Sequence, residues 1–330
     1  MKPLALSLLT LAVAVPSRAE LPEMYRRVAS AHWVVKDLAR AQAGWAKLGF
    51  PPARDLGEMT VAGSFRGQSG SSRFRIAQAR LAGADVVWIQ PIEGESAFGE
   101  HIARHGEGVV SLNYAADSRE ALEAEVGRLV GLGVSVLQRG EVVTPAGPLS
   151  VVHMDTAAEG KYVLGLVYGQ APRPPAEAPP APFPVKLSQY ALVVRSLEKV
   201  SDYWRQKLGF PPMEITHGPL SDLAYRGQPG RFDQKLGWQR HGTITWEWIE
   251  PLAGPTVYED FLEEHGEGFH HFAFDVPDID AATAAWEALG VKIVQSGAWG
   301  GRGKPGSGRF AYAATDAFGG VTTEFLWSFR

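Results

Sequence analysis

Along the second half of the chain the apolar residues change their period at regular places. Over 190–197 (YALVVRSL) they run almost unbroken, as in a buried strand. Then they fall at Leu197, Val200, Trp204 and Leu208, a helical spacing that Gly209 ends. Strand-like runs follow near 220–226, 234–240 and 243–250, so the predicted order is β-α-β-β-β. The order then begins again. FHHFAFDV (269–276) predicts a strand, DIDAATAAWEALG a helix closed by Gly290, and VKIVQ, RFAYAAT and VTTEFLW three further strands.

The first half repeats this pattern at an offset of 160 residues. KLGFPP at 47–52 recurs at 207–212, FRGQSG at 65–70 becomes YRGQPG at 225–230, WIQP at 88–91 becomes WIEP at 248–251, and HGEG at 105–108 returns at 265–268. Repetition at a fixed period means repeated structural units. The chain is therefore expected to be an α+β protein of four βαβββ modules, two to each half. Residues 169–184 carry seven prolines in sixteen positions, a composition that disfavours helix and sheet and favours an extended spacer. That places one domain at 24–168, a linker at 169–184 and a second domain at 185–330.

Composition narrows the class of partner. A chain of 330 residues that is 45% hydrophobic and 21% charged has the make-up of a globular protein with sizeable cores. A net charge of −4 without any Lys/Arg run argues against nucleic acid or an anionic membrane surface, leaving a small molecule as the expected partner. The absence of cysteine excludes disulfides and thiolate metal ligands. Lys2, the largely apolar run Leu4–Val15 and the small-x-small site Ser17-Arg18-Ala19 predict a signal peptide over 1–19, cleaved to leave a mature protein near Glu20 with no membrane anchor. The expected location is periplasmic or secreted.

The doubled β-α-β-β-β order, the openings WVVKDL and LVVRSL before helices ending in LGF, the segment HGEGFHHFAFDVPDID and the closing VTTEFL resemble the vicinal oxygen chelate superfamily. That superfamily includes glyoxalase I, methylmalonyl-CoA epimerase, extradiol dioxygenases and resistance proteins. The resemblance implies two tandem glyoxalase-like domains, each forming a cup, and a metal held by the first and last strands of paired modules. Carried over position by position, it implies the ligands Gln189, Glu247, His271 and Glu324 around one divalent ion: Zn, Mn, Ni, Co or Fe. At the same positions the first half has Ser30, Val87, Ser111 and Gly165, none of them a ligand, so that half is expected to be metal-free.

Comparing the halves also sorts the remaining residues. His105 and His265, or Arg66-Gly67-Gln68 and Arg226-Gly227-Gln228, occur in both and read as structural. Strand alternation puts His271 on one face with Ala273 and Asp275, and His270 on the other with Phe272 and Phe274. Glu247, in the apolar run TITWEWIEP, and Glu324, in VTTEFLW, are carboxylates that need a partner if buried. The glycine-rich stretch 297–308 is expected to form a lid or a solvated hairpin loop, with Trp299, Arg302 and Lys304 as candidate substrate contacts.

The one-imidazole, two-carboxylate, one-amide set is similar to that of glyoxalase I and differs from the two-histidine set of extradiol dioxygenases. It implies an isomerase, epimerase or lyase acting on a small hydroxy-carbonyl compound, with Glu324 as general base and Glu247 as a ligand able to exchange roles with it. A dioxygenase of the same fold and a metal-independent sequestering protein are the alternatives. Oligomeric state is not legible.

Overall fold

The computed structural model describes residues 21–171, 185–242 and 244–329. The expected signal peptide, and 172–184 of the expected linker, lie outside the described residues.

The first half contains strands β1 (Ser30–Val34), β2 (Arg54–Phe65), β3 (Gln68–Leu81), β4 (Ala84–Glu93), β5 (Gly108–Ala115), β6 (Val136–Thr144), β7 (Gly147–Met154) and β8 (Val163–Gly169). Its helices are α1 (Leu38–Lys47), α2 (Ala97–His105), α3 (Arg119–Gly131) and the single turn α4 (Ala157–Gly160). The second half contains β9 (Lys186–Val193), β10 (Glu214–Thr216), β11 (Leu220–Tyr225), β12 (Gln228–Pro229), β13 (Asp233–His241), β14 (Ile244–Ala253), β15 (Gly268–Asp275), β16 (Ile293–Trp299), β17 (Gly308–Ala313) and β18 (Thr322–Ser328). Its helices are α5 (Leu197–Leu208), α6 (Val257–Glu264) and α7 (Ile279–Ala288). The four-module α+β architecture is as the sequence pattern predicts.

Local departures have identifiable causes. The strand expected over 190–197 ends at Val193, because Ser196 caps α5 with its Oγ accepting from Lys199 N. Strand β8 runs through Gly169, one residue into the proline-rich stretch. The sequence pattern showed no helix between WIEP and HGEG, yet α6 forms there. Thr256 Oγ1 accepts from Glu259 N at 3.0 Å, and the first helical amide, Val257 N, donates to the buried Gln295 Oε1 at 3.0 Å. Helix α2 starts in the same way, with Ala97 N donating to Gln138 Oε1 at 2.7 Å.

The two halves close differently. In the first, β1-β4-β3-β2-β6-β7-β8-β5 form a closed barrel, with β2 paired to β3 along its length and to β6 at its end. In the second, the counterpart of β2 is broken at His217-Gly218-Pro219 into β10, which pairs with β13, and β11, which pairs with β16. Pro219 has no N–H to offer a ladder. The result is a curled ten-stranded sheet left open at that seam.

The largest core is shared between the halves. Trp33 of β1 meets Phe272 of β15 at 5.9 Å between ring centres, Phe50 meets Phe274 at 5.9 Å, and Tyr162 stacks on Trp204 at 4.7 Å. Each half's first helix docks on the far end of the other half. Trp204 Nε1 of α5 donates to Gly160 O of α4 at 3.0 Å, while α1 lies against the turn Asp316–Phe318. The two HGEG segments clasp one another, His105 Nδ1 donating to His265 O at 2.8 Å and His265 Nδ1 to His105 O at 2.6 Å. The paired RGQ segments are hairpin turns, with φ of 48° and 79° at Arg66 and Gly67 and 49° and 76° at Arg226 and Gly227.

A Cβ on Gly44 of α1 would stand 2.3 Å from the ring of Phe318. Gly44→Ala is therefore expected to destabilise the protein by about 1–2 kcal/mol in a denaturant titration, since overpacking outweighs the ~1 kcal/mol that alanine gains over glycine inside a helix. An unchanged or raised midpoint would show that this helix does not bind the second half so closely.

Candidate metal centre

Register brings the four expected ligands to one face. Glu247 of β14 lies opposite Ala191 of β9, which lies opposite His271 of β15. Ala273, two residues on, lies opposite both Gln189 of β9 and Glu324 of β18. Paired residues on neighbouring strands project to the same side, so Gln189, Glu247, His271 and Glu324 all point into the curled sheet.

Glu247, His271 and Glu324 are 5%, 0% and 3% exposed, and they offer one donor atom each, all within 4.8 Å of one another. His271 Nε2 is 3.2 Å from Glu324 Oε2 and 3.5 Å from Glu247 Oε2. Among the described residues no lysine or arginine pairs with either carboxylate. Glu247 Oε2, at 3.5 Å from His271 Nε2, makes no hydrogen bond, and the buried Gln189 Oε1 makes none either. Burial pushes the Glu247 carboxyl up to about 7, helped by the charge of Glu324 and opposed by His271. Burial acts to lower His271, but the two carboxylates beside it outweigh that and raise it to about 9. Without an ion, a proton on His271 is what holds these carboxylates together.

The alternation expected at the two histidines is overturned. Between Phe269 and His271 the register of β15 on β9 slips, so His270 and His271 together oppose a single position. Such a bulge re-aims a side chain. His270 consequently leaves the side of Phe272 and Phe274 and turns into the cup, its ring 5.5 Å from Tyr258, 5.0 Å from Phe261 and 6.0 Å from Tyr312. There its Nδ1 lies 2.8 Å from His271 Nδ1. This leaves His271 Nε2 facing the carboxylates and gives its other nitrogen a fixed partner, the arrangement that orients a metal-binding imidazole. Sequence alternation missed this role. His270→Phe is expected to weaken divalent-metal affinity by about 10–100-fold in a calorimetric titration; unaltered affinity would remove His270 from the site. Tyr312, whose ring lies 5.0 Å from that of His271 and whose hydroxyl accepts from Tyr258 Oη at 2.7 Å, was also missed.

The glycine-rich stretch 297–308 is a hairpin whose two ends are strand and whose middle is an exposed turn. Residues 297–299 belong to β16 and pair with 308–310 of β17, leaving 300–307 as the turn. Trp299 packs half-buried against the cup's apolar lining, with its Nε1 donating to Gly306 O at 3.0 Å. Arg302 and Lys304 are exposed on the turn, whose closure uses Lys304 O as acceptor for Ser307 N at 3.0 Å.

The first half has the same frame with other contents. His32 of β1 pairs with Val87 as Ala191 pairs with Glu247, and Asn113 pairs with Gly165 as Ala273 pairs with Glu324. Ser30, Val87, Ser111 and Gly165 therefore do stand at the four ligand positions. A Cβ at Gly165 would fall 1.8 Å from Asn113 Oδ1, so asparagine fills the space that the Glu324 side chain takes in the second half. By the same registers His32 replaces Ala191, Asn113 replaces Ala273 and His153 replaces Tyr312. Ser111 Oγ lies 3.3 Å from His153 Nε2, and Asn113 Nδ2 donates to Ser30 O at 3.1 Å. These polar residues, peculiar to the first half, were visible by the same comparison of halves run in the opposite direction.

A sequence profile of the glyoxalase/bleomycin resistance protein/dioxygenase superfamily matches residues 31–151 and again 188–312. No curated protein matches the chain by sequence. Among solved structures, a triple mutant of 4-hydroxymandelate synthase from Streptomyces coelicolor superposes with a TM-score of 0.59 at 18% identity over 92% of both chains. A fusion protein of a xylose isomerase-like TIM barrel and 4-hydroxyphenylpyruvate dioxygenase gives 0.52 at 13% identity, over 92% of this chain and 49% of that one. The Mn(II)-bound glyoxalase from Novosphingobium aromaticivorans gives 0.49 at 16% identity, over 92% of this chain and 83% of that one. At such identities the first two likenesses are of fold.

Proposed function

Because the chain belongs to the glyoxalase/bleomycin resistance protein/dioxygenase superfamily, we propose that its second half is a metal-dependent isomerase, epimerase or lyase for a small hydroxy-carbonyl compound, aromatic or sugar-derived. The observation that supports this reading is the buried Glu247–His271–Glu324 group with two orphaned oxygens, Glu247 Oε2 and Gln189 Oε1, on the same face. Ligands about 2.0–2.2 Å from one ion and set at tetrahedral or right angles stand roughly 3–3.5 Å apart. The 3.2 and 3.5 Å separations around His271 Nε2 have that spacing. Two buried carboxylates against one imidazole leave negative charge that a divalent cation would neutralise. The residues present therefore fit Zn, Mn, Ni, Co or Fe, with His271, Glu247, Glu324 and Gln189 as the holders.

A divalent ion in this set would supply Lewis acidity toward the carbonyl oxygen of a substrate. Glu324, nearly inaccessible to water, takes the proton from the carbon beside that carbonyl. Glu247, the second carboxylate of the set, is assigned as a ligand able to exchange roles with Glu324 in holding or returning the proton. His271 is fixed by His270 and presents its Nε2 between the two carboxylates. Arg302 and Lys304, on the turn beyond Trp299, are assigned to an acidic group of the substrate. We further assign the protein to the periplasm or the exterior, where glutathione and coenzyme A adducts are scarce; N-terminal sequencing of the exported protein should begin near Glu20.

One set of measurements separates the reaction classes. The mature protein, analysed for bound metal, is given α-hydroxy ketones and catechols while solvent deuterium incorporation and oxygen uptake are followed. Incorporation without oxygen uptake is the expected result. Oxygen consumption would replace this reading with a dioxygenase, and tight binding without either would replace it with a sequestering protein.

A further inference from the structure

The closed barrel of the first half surrounds a cavity of about 650 Å³. Its walls are mostly apolar, including Val61, Phe74, Ile76, Ile89, Phe98 and Val151, and the exposed Arg27 among its lining shows that it reaches the surface. Five polar side chains line it while being more than nine-tenths buried, and three of them stand out: His32, Gln78 and His153, at 8%, 7% and 2% exposure. Each keeps an atom without a hydrogen-bond partner, namely His32 Nδ1, Gln78 Oε1 and His153 Nδ1. Buried polar groups are normally paired, so three orphans around one cavity need an occupant.

We propose that this barrel is a second, metal-independent binding site for an uncharged, mostly apolar small molecule carrying one polar group, which meets His32, Gln78 and His153. The volume is that of a typical small-molecule pocket, and apolar walls with a few convergent polar groups are how such pockets bind and orient ligands. No ion is called for. The two imidazoles lie 5.5 Å apart ring to ring, and neither has an acidic partner among the described residues. Burial holds His32 well below the usual histidine range and His153 at about 4, so both are neutral and able to donate or accept. Asp85, the acid in the lining, is already engaged by Arg80 at 2.5 and 2.9 Å. A carboxylate ligand would find no counter-charge at these histidines, whereas an aromatic alcohol or amine would find donors and acceptors. At the places of His32 and His153 the second half has Ala191 and Tyr312, so the two cups have diverged into an apolar pocket and a candidate metal centre.

The test uses the full mature chain and the neutral fluorophore N-phenyl-1-naphthylamine. Saturable binding to one site, unchanged when a chelator strips metal, is the expected result. Val151→Trp, which fills the cavity, and His153→Phe, which keeps the ring and removes its nitrogens, should each weaken binding about tenfold or more. Methionine methyl resonances provide a check that requires no variant: Met59 lines the cavity and should shift with the probe, while Met213, in the other half, should not. Absence of saturable binding, binding lost with the metal, full affinity in Val151→Trp, or a stationary Met59 signal would each overturn the proposal.

Discussion

Glu324→Gln is expected to slow exchange of the substrate's acidic C–H with solvent deuterium by about 10²–10⁴-fold, the usual contribution of a positioned general base. The substitution is nearly isosteric and keeps an oxygen that can face an ion, so metal content should change far less than turnover. Glu324 suits the test because it is 3% exposed, sits at the interior register opposite Ala273, and lies 3.2 Å from His271 Nε2. A mere packing role would show as a lower melting temperature with turnover per folded molecule intact. Wild-type exchange in Glu324→Gln would exclude it as the base and shift the assignment to Glu247.

The second large effect is on stability and depends on pH in a definite direction. In the metal-free protein Glu247 is raised from 4.5 to about 7 and His271 from 6.5 to about 9. Both native values exceed the unfolded ones, so between about pH 5 and 9 the native state binds more protons than the unfolded chain. The stability that these groups confer is full below their unfolded values and is lost as pH rises through 7 and then 9. A divalent ion binds the deprotonated ligands and takes over from the protons, so its stabilising effect grows with pH. At a thousandfold excess over its Kd it should contribute about 4 kcal/mol, a rise in Tm on the order of 10 °C. The rise should be clearly smaller at pH 6 than at pH 8.5, and absent in His271→Ala. Equal shifts at both pH values, or a shift that survives in His271→Ala, would mean that the ion binds elsewhere.

Much of this could be read along the chain, because the signals are local or periodic. An offset of 160 residues between matching motifs, the switch from strand to helix spacing, and glycines such as Gly209 and Gly290 after helices give the modules and their order. The four expected ligands fall at equivalent positions of equivalent modules, and the observed register does bring them to one face. Helix α6 was legible in principle from Thr256 and the helical spacing of Val257, Tyr258, Phe261 and Leu262, but it is short and lies between stronger strand patterns.

What the order of residues settled was the repeat, from its offset of 160, the four-module plan, from the change between strand and helix spacing, and, through the superfamily resemblance, which half carries the carboxylates and imidazole. Three matters needed the tertiary structure. The bulge in β15 turns His270 into the cup against strict alternation, because an extra residue on one strand shows only against its partner. The break at Pro219 leaves one sheet open while its twin closes, and closure depends on pairing between strands distant in sequence. His32, Gln78 and His153 lie on β1, β3 and β7, more than forty residues apart, and become neighbours of one cavity only when the barrel shuts. Side-chain direction is local physics, but which side chains face one another across an enclosed space is decided by closure.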